Sequence, residues 1–447
     1  MKASLSLLAG IFLLVSMRAF PQEGAGKDVS IRQERAAVLK FGIDTEVVEV
    51  LKKLLEEKDT TLKDDALRIF SGSVNTDVKE ACLKYFTELE LPDAEEQSLV
   101  LLENYDGTPE KLILAAIRYT EALKFEKGMD LLLPIIGEES VALTPSAIKA
   151  LGGSRNPEHQ DFLLAKLQDE DFNGSFRPEI ILALGEMKSG KALDTLLEIA
   201  ADTDRDATLR RYACDSLGKI GDGRALDTLI RVYQDPDPLT RLYALSAISR
   251  FGSERTRQML IEALKDSFWR IRITAAEGLG KLNAAEAVEI LSYKAEKDPE
   301  QKVKEAAVTA LGSISSPESL QYLLSLVQDK EKPVVLRFTA AKVLVEKNLR
   351  GSLAALLVLL DQEWSKKDSK LLDSVCKELS GAKDPALHDL FARFLDHGSM
   401  TIQIYGVLGI QRNGFRDLTE VLEKKKETAQ STVGKYITAA LETLKTF

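Results

Sequence analysis

Residues 215–229 read DSLGKIGDGRALDTL. Lys219 and Arg224 stand among Gly218, Gly221 and Gly223, the composition of a loop that could cradle a phosphate. The order is wrong for one. GKIGDG lacks the GxxxxGKS/T spacing, and it follows an apolar period of three to four residues where a phosphate loop needs a strand. Nor is the stretch unique. SLGKIGD (216–222) returns as ALGGSRN (150–156), ALGEMKS (183–189), GLGKLNA (278–284), ALGSISS (310–316) and VLGIQRN (407–413). A fragment that returns at a near-constant interval is read first as a structural repeat.

The position of Leu217 is held in turn by Leu151, Leu184, Leu217, Ile248, Leu279, Leu311 and Leu344, in steps of 33, 33, 31, 31, 32 and 33 residues. Weaker counterparts continue outward at Phe86, Tyr119, Leu379, Leu408 and Leu441. Leu209, Ala213, Leu217 and Ile220 recur at helical spacing ahead of and at this position, which predicts one apolar helix face. A second amphipathic segment follows each turn, as in ALDTLLEIA (192–200), ALDTLIRVY (225–233) and SLQYLLSLV (319–327). Two helices therefore make one unit. Ala213, Ala244, Ala275, Ala307 and Ala340 form a column of small residues that lets a neighbouring helix approach closely. Gly152, Gly185, Gly218, Gly280 and Gly312 serve the same approach, and Gly221 and Gly223 are read as helix C-caps. The phosphate-loop reading is set aside for this structural one.

A base stands eight residues before each glycine position: Arg177, Arg210, Arg241, Arg272, Lys304 and Arg337. Six residues before each base stands an acid: Asp171, Asp204, Asp235, Asp266, Asp298 and Glu331. A column of bases alone would suggest a nucleic-acid track. A matched column of acids suggests a structural ladder instead, with each acid in the turn, placed to cap the following helix, and each base in that helix's first turns.

This D-x5-R-x2-A-x3-L-G pattern resembles the HEAT-repeat family, closest to its bacterial lyase-like subgroup. The resemblance is clear over residues 141–350. Ser249 and Val345 depart from it at the glycine, and Pro178 follows Arg177. It implies an all-α, right-handed α-solenoid of stacked antiparallel helix pairs (HEAT/armadillo-like), about thirteen units long, used as an interaction scaffold. Residues 29–140 and 351–447 are read as divergent helical repeats that match in helix-pair length.

Residues 1–19 are expected to be a signal peptide: Lys2, an uncharged apolar run from Ala3 to Met17, then Arg18 and Ala19. An uncleaved anchor is the alternative. Residues 20–28 are read as a linker. No later stretch shows eighteen uncharged apolar residues, so no integral membrane segment is expected after cleavage. The chain is thus expected to be exported, periplasmic or secreted. Its formal net charge is −10, and losing Lys2 and Arg18 makes that −12. An acidic, exported chain argues against a nucleic-acid partner. Three cysteines, Cys82, Cys214 and Cys376, lie far apart in apolar contexts and are read as buried free thiols.

Little in the sequence points to chemistry. His159, His388 and His397 are read as surface or turn residues, and neither a metal nor a cofactor is expected. The lyase-like resemblance brings no catalytic motif with it. In this family the second helix of each pair lines the concave face. Outside their buried stripe, the middle second helices carry Tyr212, Pro238, Leu242, Tyr243, Trp269 and Ile273, with Phe338 further along. Apolar residues and a tryptophan outside a core stripe suggest an anchor for a protein or peptide partner of unknown identity. The competing reading is that this column packs against the preceding repeat. Two functions follow: a non-enzymatic extracytoplasmic scaffold, or an enzyme or enzyme subunit acting on a prosthetic group or envelope component.

Overall fold

The fold is taken from a computed structural model that describes residues 23–446. The signal-peptide reading, 1–19, lies outside these residues. Helix Glu23–Phe41 begins inside the stretch read as a linker, 20–28. No strand occurs among the described residues. The chain forms two compact units, one ending at Ala183 and one starting at Leu184.

The first unit pairs Glu23–Phe41 with Asp44–Glu56, Lys63–Gly72 with Thr76–Glu88, and Glu95–Glu103 with Glu110–Leu123. A broken helix, Glu126–Asp130 and Leu132–Gly137, then pairs with Thr144–Leu151. Pro134 has no N–H for the Asp130 carbonyl, which accounts for the break at Leu131. Pro157–Gln168 precedes Arg177–Glu186, the helix in which the division falls.

In the second unit the second helices are Ala207–Ile220, Pro238–Ile248, Trp269–Lys281, Gln301–Ile314, the start of Val334–Glu363, Lys370–Gly381, Met400–Asn413 and Ser431–Thr446. Each packs on the next in chain order. The run Val334–Glu363 is two helices joined without a turn, bent at Asn348 (φ −150°, ψ 47°). Counting that bend as a boundary gives thirteen helix pairs among the described residues, five begun in the first unit and eight in the second.

The repeat columns form the core. Ala213, Ala244, Ala275, Ala307 and Ala340 are wholly buried, as are Leu217, Ile248, Leu279, Leu311 and Leu344. A Cβ on Gly218 would lie 2.8 Å from Ala247 Cα, and one on Gly280 2.9 Å from Ala310 Cα. Those glycines are the contact surface between successive second helices, and any side chain would force the backbones apart.

The opening stretch is structural. Gly221 takes φ +72° at the C-cap of Ala207–Ile220, where its N–H bonds the Leu217 carbonyl. Gly223 is not a second cap. It lies in the turn leading to Ala225–Val232, and Gly221 is the only left-handed residue there. Lys219 is paired with Glu186 and Asp215, both at 2.7 Å, and Arg224 with Asp222 at 2.8 Å.

All three cysteines are free and buried. Burial pushes the Cys82 and Cys214 thiols up to about 12. Among the described residues no helix is long and apolar enough to cross a membrane.

Candidate partner-binding face

The second helices are held in place at their first turns by arginines that bridge turns. Arg210 Nη1 lies 2.8 Å from Asp235 Oδ2, the turn acid of the next pair. Arg241 donates to both oxygens of Asp266 at 3.2 Å, and Arg272 to both of Asp298 at 2.8 and 2.7 Å. Each also holds its own turn. Arg241 donates to the Asp235 and Pro236 carbonyls, and Arg272 to those of Asp266 and Ser267. A planar guanidinium with five donors suits this double duty. Burial pushes the Asp298 carboxyl up, but the hydrogen bonds from Arg272 and the Glu300 N–H outweigh it and hold the group below the usual range.

Not every residue of the ladder sits on a rung. Asp235, Asp266 and Asp298 each accept the N–H two residues on, at 2.9, 2.8 and 3.0 Å. In the other three turns that bond is made by Asp169, Asp202 and Asp329, at 3.0, 3.0 and 2.9 Å. Asp171, Asp204 and Glu331, the residues read from the six-residue offset, are exposed. In those three turns the bonding aspartate stands eight residues before the base where the others stand six, so a fixed six-residue offset overshoots the structural position. Nor do the column acids cap the helix that follows: Asp206 caps Ala207–Ile220 and Asp237 caps Pro238–Ile248. Arg337 donates to the Val327 carbonyl and to Gln362, with Glu363 at 3.6 Å. Arg177 donates to the Asp169 carbonyl at 3.4 Å, and its buried Nε has no partner. Lys304 makes no ion pair among the described residues. An ammonium lacks the fork that reaches two turns at once.

The candidate residues lie on the side of the second helices away from the buried columns. Tyr212 and Tyr243, on successive helices, are ring neighbours at 6.3 Å. Pro238 opens its helix, and Leu242 follows one turn on. Trp269 opens the next helix, with Ile273 one turn on. Phe338 lies two second helices beyond, and Glu305 and Ala306 occupy the matching stretch between. All seven are half-buried. Leu242 and Phe338 pack partly on the core, so the packing reading describes their inner edges and leaves their outer edges open.

Sequence reasoning missed several members of this face. Leu239 is 37% exposed and Val335 47%. Two cations flank the indole: Arg270 Cζ lies 5.3 Å and Lys302 Nζ 5.4 Å from the Trp269 ring centroid. The WRIR stretch (269–272) carries the first signal, but Lys302 comes from the next pair and needs the stacking to be seen.

The histidines are not all superficial. His159 is buried, with Nδ1 2.7 Å from Ser154 Oγ and Nε2 2.8 Å from Asp130 Oδ1. His397 accepts the Ser399 N–H at Nδ1 and so donates from Nε2 to the Trp364 carbonyl. His388 sits between two carboxylates, Asp389 at 2.7 Å and Asp417 at 2.6 Å. Among the described residues no group of three or more His, Cys, Asp or Glu side chains is arranged to hold a metal ion.

The family described as Spirochaete HEAT repeat protein matches residues 39–440. No curated protein matches the chain. Among solved structures the chain is similar to Kap121p, with 14% identity over 94% of this chain and 54% of that one and a TM-score of 0.44. It thus spans about half of Kap121p. Importin beta aligns at 12% identity over 95% of this chain and 71% of that one, with a TM-score of 0.46. The complex of CpcE and CpcF of phycocyanin lyase from Nostoc sp. PCC7120 aligns at 18% identity over 52% of this chain and 93% of that one, with a TM-score of 0.34. Stacked helix pairs run through the span that the repeat family covers, residues 39–440, and the chain belongs to the Spirochaete HEAT repeat proteins.

Proposed function

We propose that this chain is a non-enzymatic extracytoplasmic scaffold, and that it binds a protein or peptide along the second-helix face of the unit starting at Leu184. One observation carries the reading. Tyr212, Leu242, Tyr243, Trp269 and Ile273 stand half-buried on three successive stacked helices, outside the columns that fill the core. Side chains with buried stems and open edges are suited to anchor a partner, because little further ordering is needed on binding. The export half of the proposal rests on Lys2 and the uncharged run Ala3–Met17.

Affinity capture from the native cell envelope tests the binding. The tagged chain is compared with a variant carrying Leu242→Glu and Ile273→Glu whose thermal melt is unchanged. A protein recovered by the first and lost by the second supports the face. Equal recovery moves the site elsewhere, and recovery of nothing by either counts against a scaffold. The Trp269→Ala, Ile273→Ser variant separates binding from packing: a large fall in melting temperature would make these residues structural. N-terminal sequencing of the cellular protein tests export, with a start just after Ala19 expected and a start at Met1 overturning the cleaved signal peptide.

A further inference from the structure

The face just described carries two cations that no carboxylate pairs, and they specify the partner's chemistry. The chain as a whole is acidic, with a net charge of −10, and the cations on its repeat turns are largely matched. Arg211 is paired with Asp237, Arg250 with Asp215, and Lys219 with Asp215 and Glu186. Arg270 and Lys302 are different. Both are exposed, and neither makes an ion pair or hydrogen bond among the described residues. Both sit within 5.4 Å of one indole centroid, although they come from successive helix pairs. The Trp269 ring draws them in by its quadrupole, which orders a cation without neutralising it. Ile273 lies one turn further along the same helix, and Leu242 on the preceding one.

From this geometry we infer that the face takes an acidic–apolar peptide segment of another protein, with an Asp or Glu carboxylate beside Arg270 and Lys302. An aromatic or aliphatic side chain rests on the Trp269, Ile273 and Leu242 edges. Two converging cations over an aromatic floor favour a carboxylate and repel a basic segment, so the charge acts on selection as well as on strength. The inference rests on the proposed binding face and names the class of its occupant.

The test uses the full chain with Trp364→Phe, which leaves Trp269 as the only tryptophan, and two sets of synthetic peptides. Both sets share the same Phe and Leu positions. One is flanked by Glu and Asp, the other by Lys and Arg. Binding is read from Trp269 emission and by calorimetry at low and high salt. The acidic set is expected to bind roughly tenfold tighter at low salt, with the advantage shrinking as salt rises. Arg270→Glu with Lys302→Glu should invert the preference, while Arg270→Lys with Lys302→Arg should keep it. Both sites are exposed, so thermal melts should not change. Equal binding of the two sets with a silent charge reversal overturns the inference and leaves the face intact. Binding of neither set overturns it as well, and envelope capture with the Leu242/Ile273 variant then decides separately whether the face binds anything.

Discussion

The two units satisfy the same polar backbone in different ways. In the first, tyrosines on the second helices reach the turn that precedes their own pair. The Tyr85 hydroxyl donates to the Asp59 carbonyl and the Tyr119 hydroxyl to the Leu91 carbonyl, both at 2.8 Å. In the second, arginines reach the turn inside the pair and the carboxylate of the next. The Tyr85 and Tyr119 ties are neutral hydrogen bonds from buried rings, and the Arg272–Asp298 tie is a desolvated ion pair. Stacked pairs need their turns held, and either chemistry can hold them. The charged version adds a penalty when half of it is removed, because the other half stays buried.

The sharpest way to break this comparison is Asp298→Ala. It strands the buried Arg272 guanidinium and should cost about 3–5 kcal/mol in the second unit. Tyr85→Phe, the matching cut in the first, should cost only about 1 kcal/mol. Urea unfolding followed by hydrogen exchange, which assigns each loss to its unit, checks both; equal losses would end the distinction.

Acid sharpens it further. Asp266 is half-buried and Asp298 buried, and burial pushes both carboxyls up, yet their arginine partners hold them below the usual carboxyl range. Their stabilisation is therefore complete above the unfolded value of about 3.9 and is lost as pH falls through the lower folded values. Segments around residues 235–300 should lose exchange protection in that window, and Asp298→Asn should remove much of the pH dependence.

A smaller effect tests the register of the turns. Asp202→Ala removes the turn bond to the Asp204 N–H and should cost roughly 0.5–1.5 kcal/mol. Asp204→Ala should stay within about 0.5 kcal/mol of the parent, as surface changes do. Thermal melts of the two would distinguish them, and the reverse order would restore the six-residue reading.

The smallest effect is at His388. A neutral imidazole has one N–H, so two carboxylates on its two nitrogens call for the charged ring. The hydrogen bond to Asp389 leads in raising its pKa, burial opposes, and Asp417 adds to the rise. Its contribution is present below the unfolded value of about 6.5 and fades as pH rises through the higher folded one. NMR titration of the ring should show that rise, and Asp417→Asn should reduce it.

The periodic parts of this molecule were legible in the sequence. Ala213 to Ala340 and Leu151 to Leu344 recur at 31 to 33 residues because each pair must bury the same stripe against the next. The aperiodic parts were not. Tyr119 was set beside Phe86 by spacing, yet its hydroxyl makes the bond that Tyr85 makes. His159 resembles a turn residue in sequence but is buried by Asp130 and Ser154 from other segments. Of the candidate face, most apolar members were readable, while Leu239, Val335 and the second cation were not.

By itself, then, the sequence determined the helix pair, its repetition, the small residues between neighbours and the family, since all of these follow from local period and side-chain size. Tertiary structure decided which aspartate each turn uses, which arginine bridges to which carboxylate, and that Lys302 joins Arg270 at Trp269. Those depend on the path of each turn and on the stacking of separate pairs, and a two-residue difference between aspartate and base leaves the helical period untouched while it changes which carboxylate the turn uses.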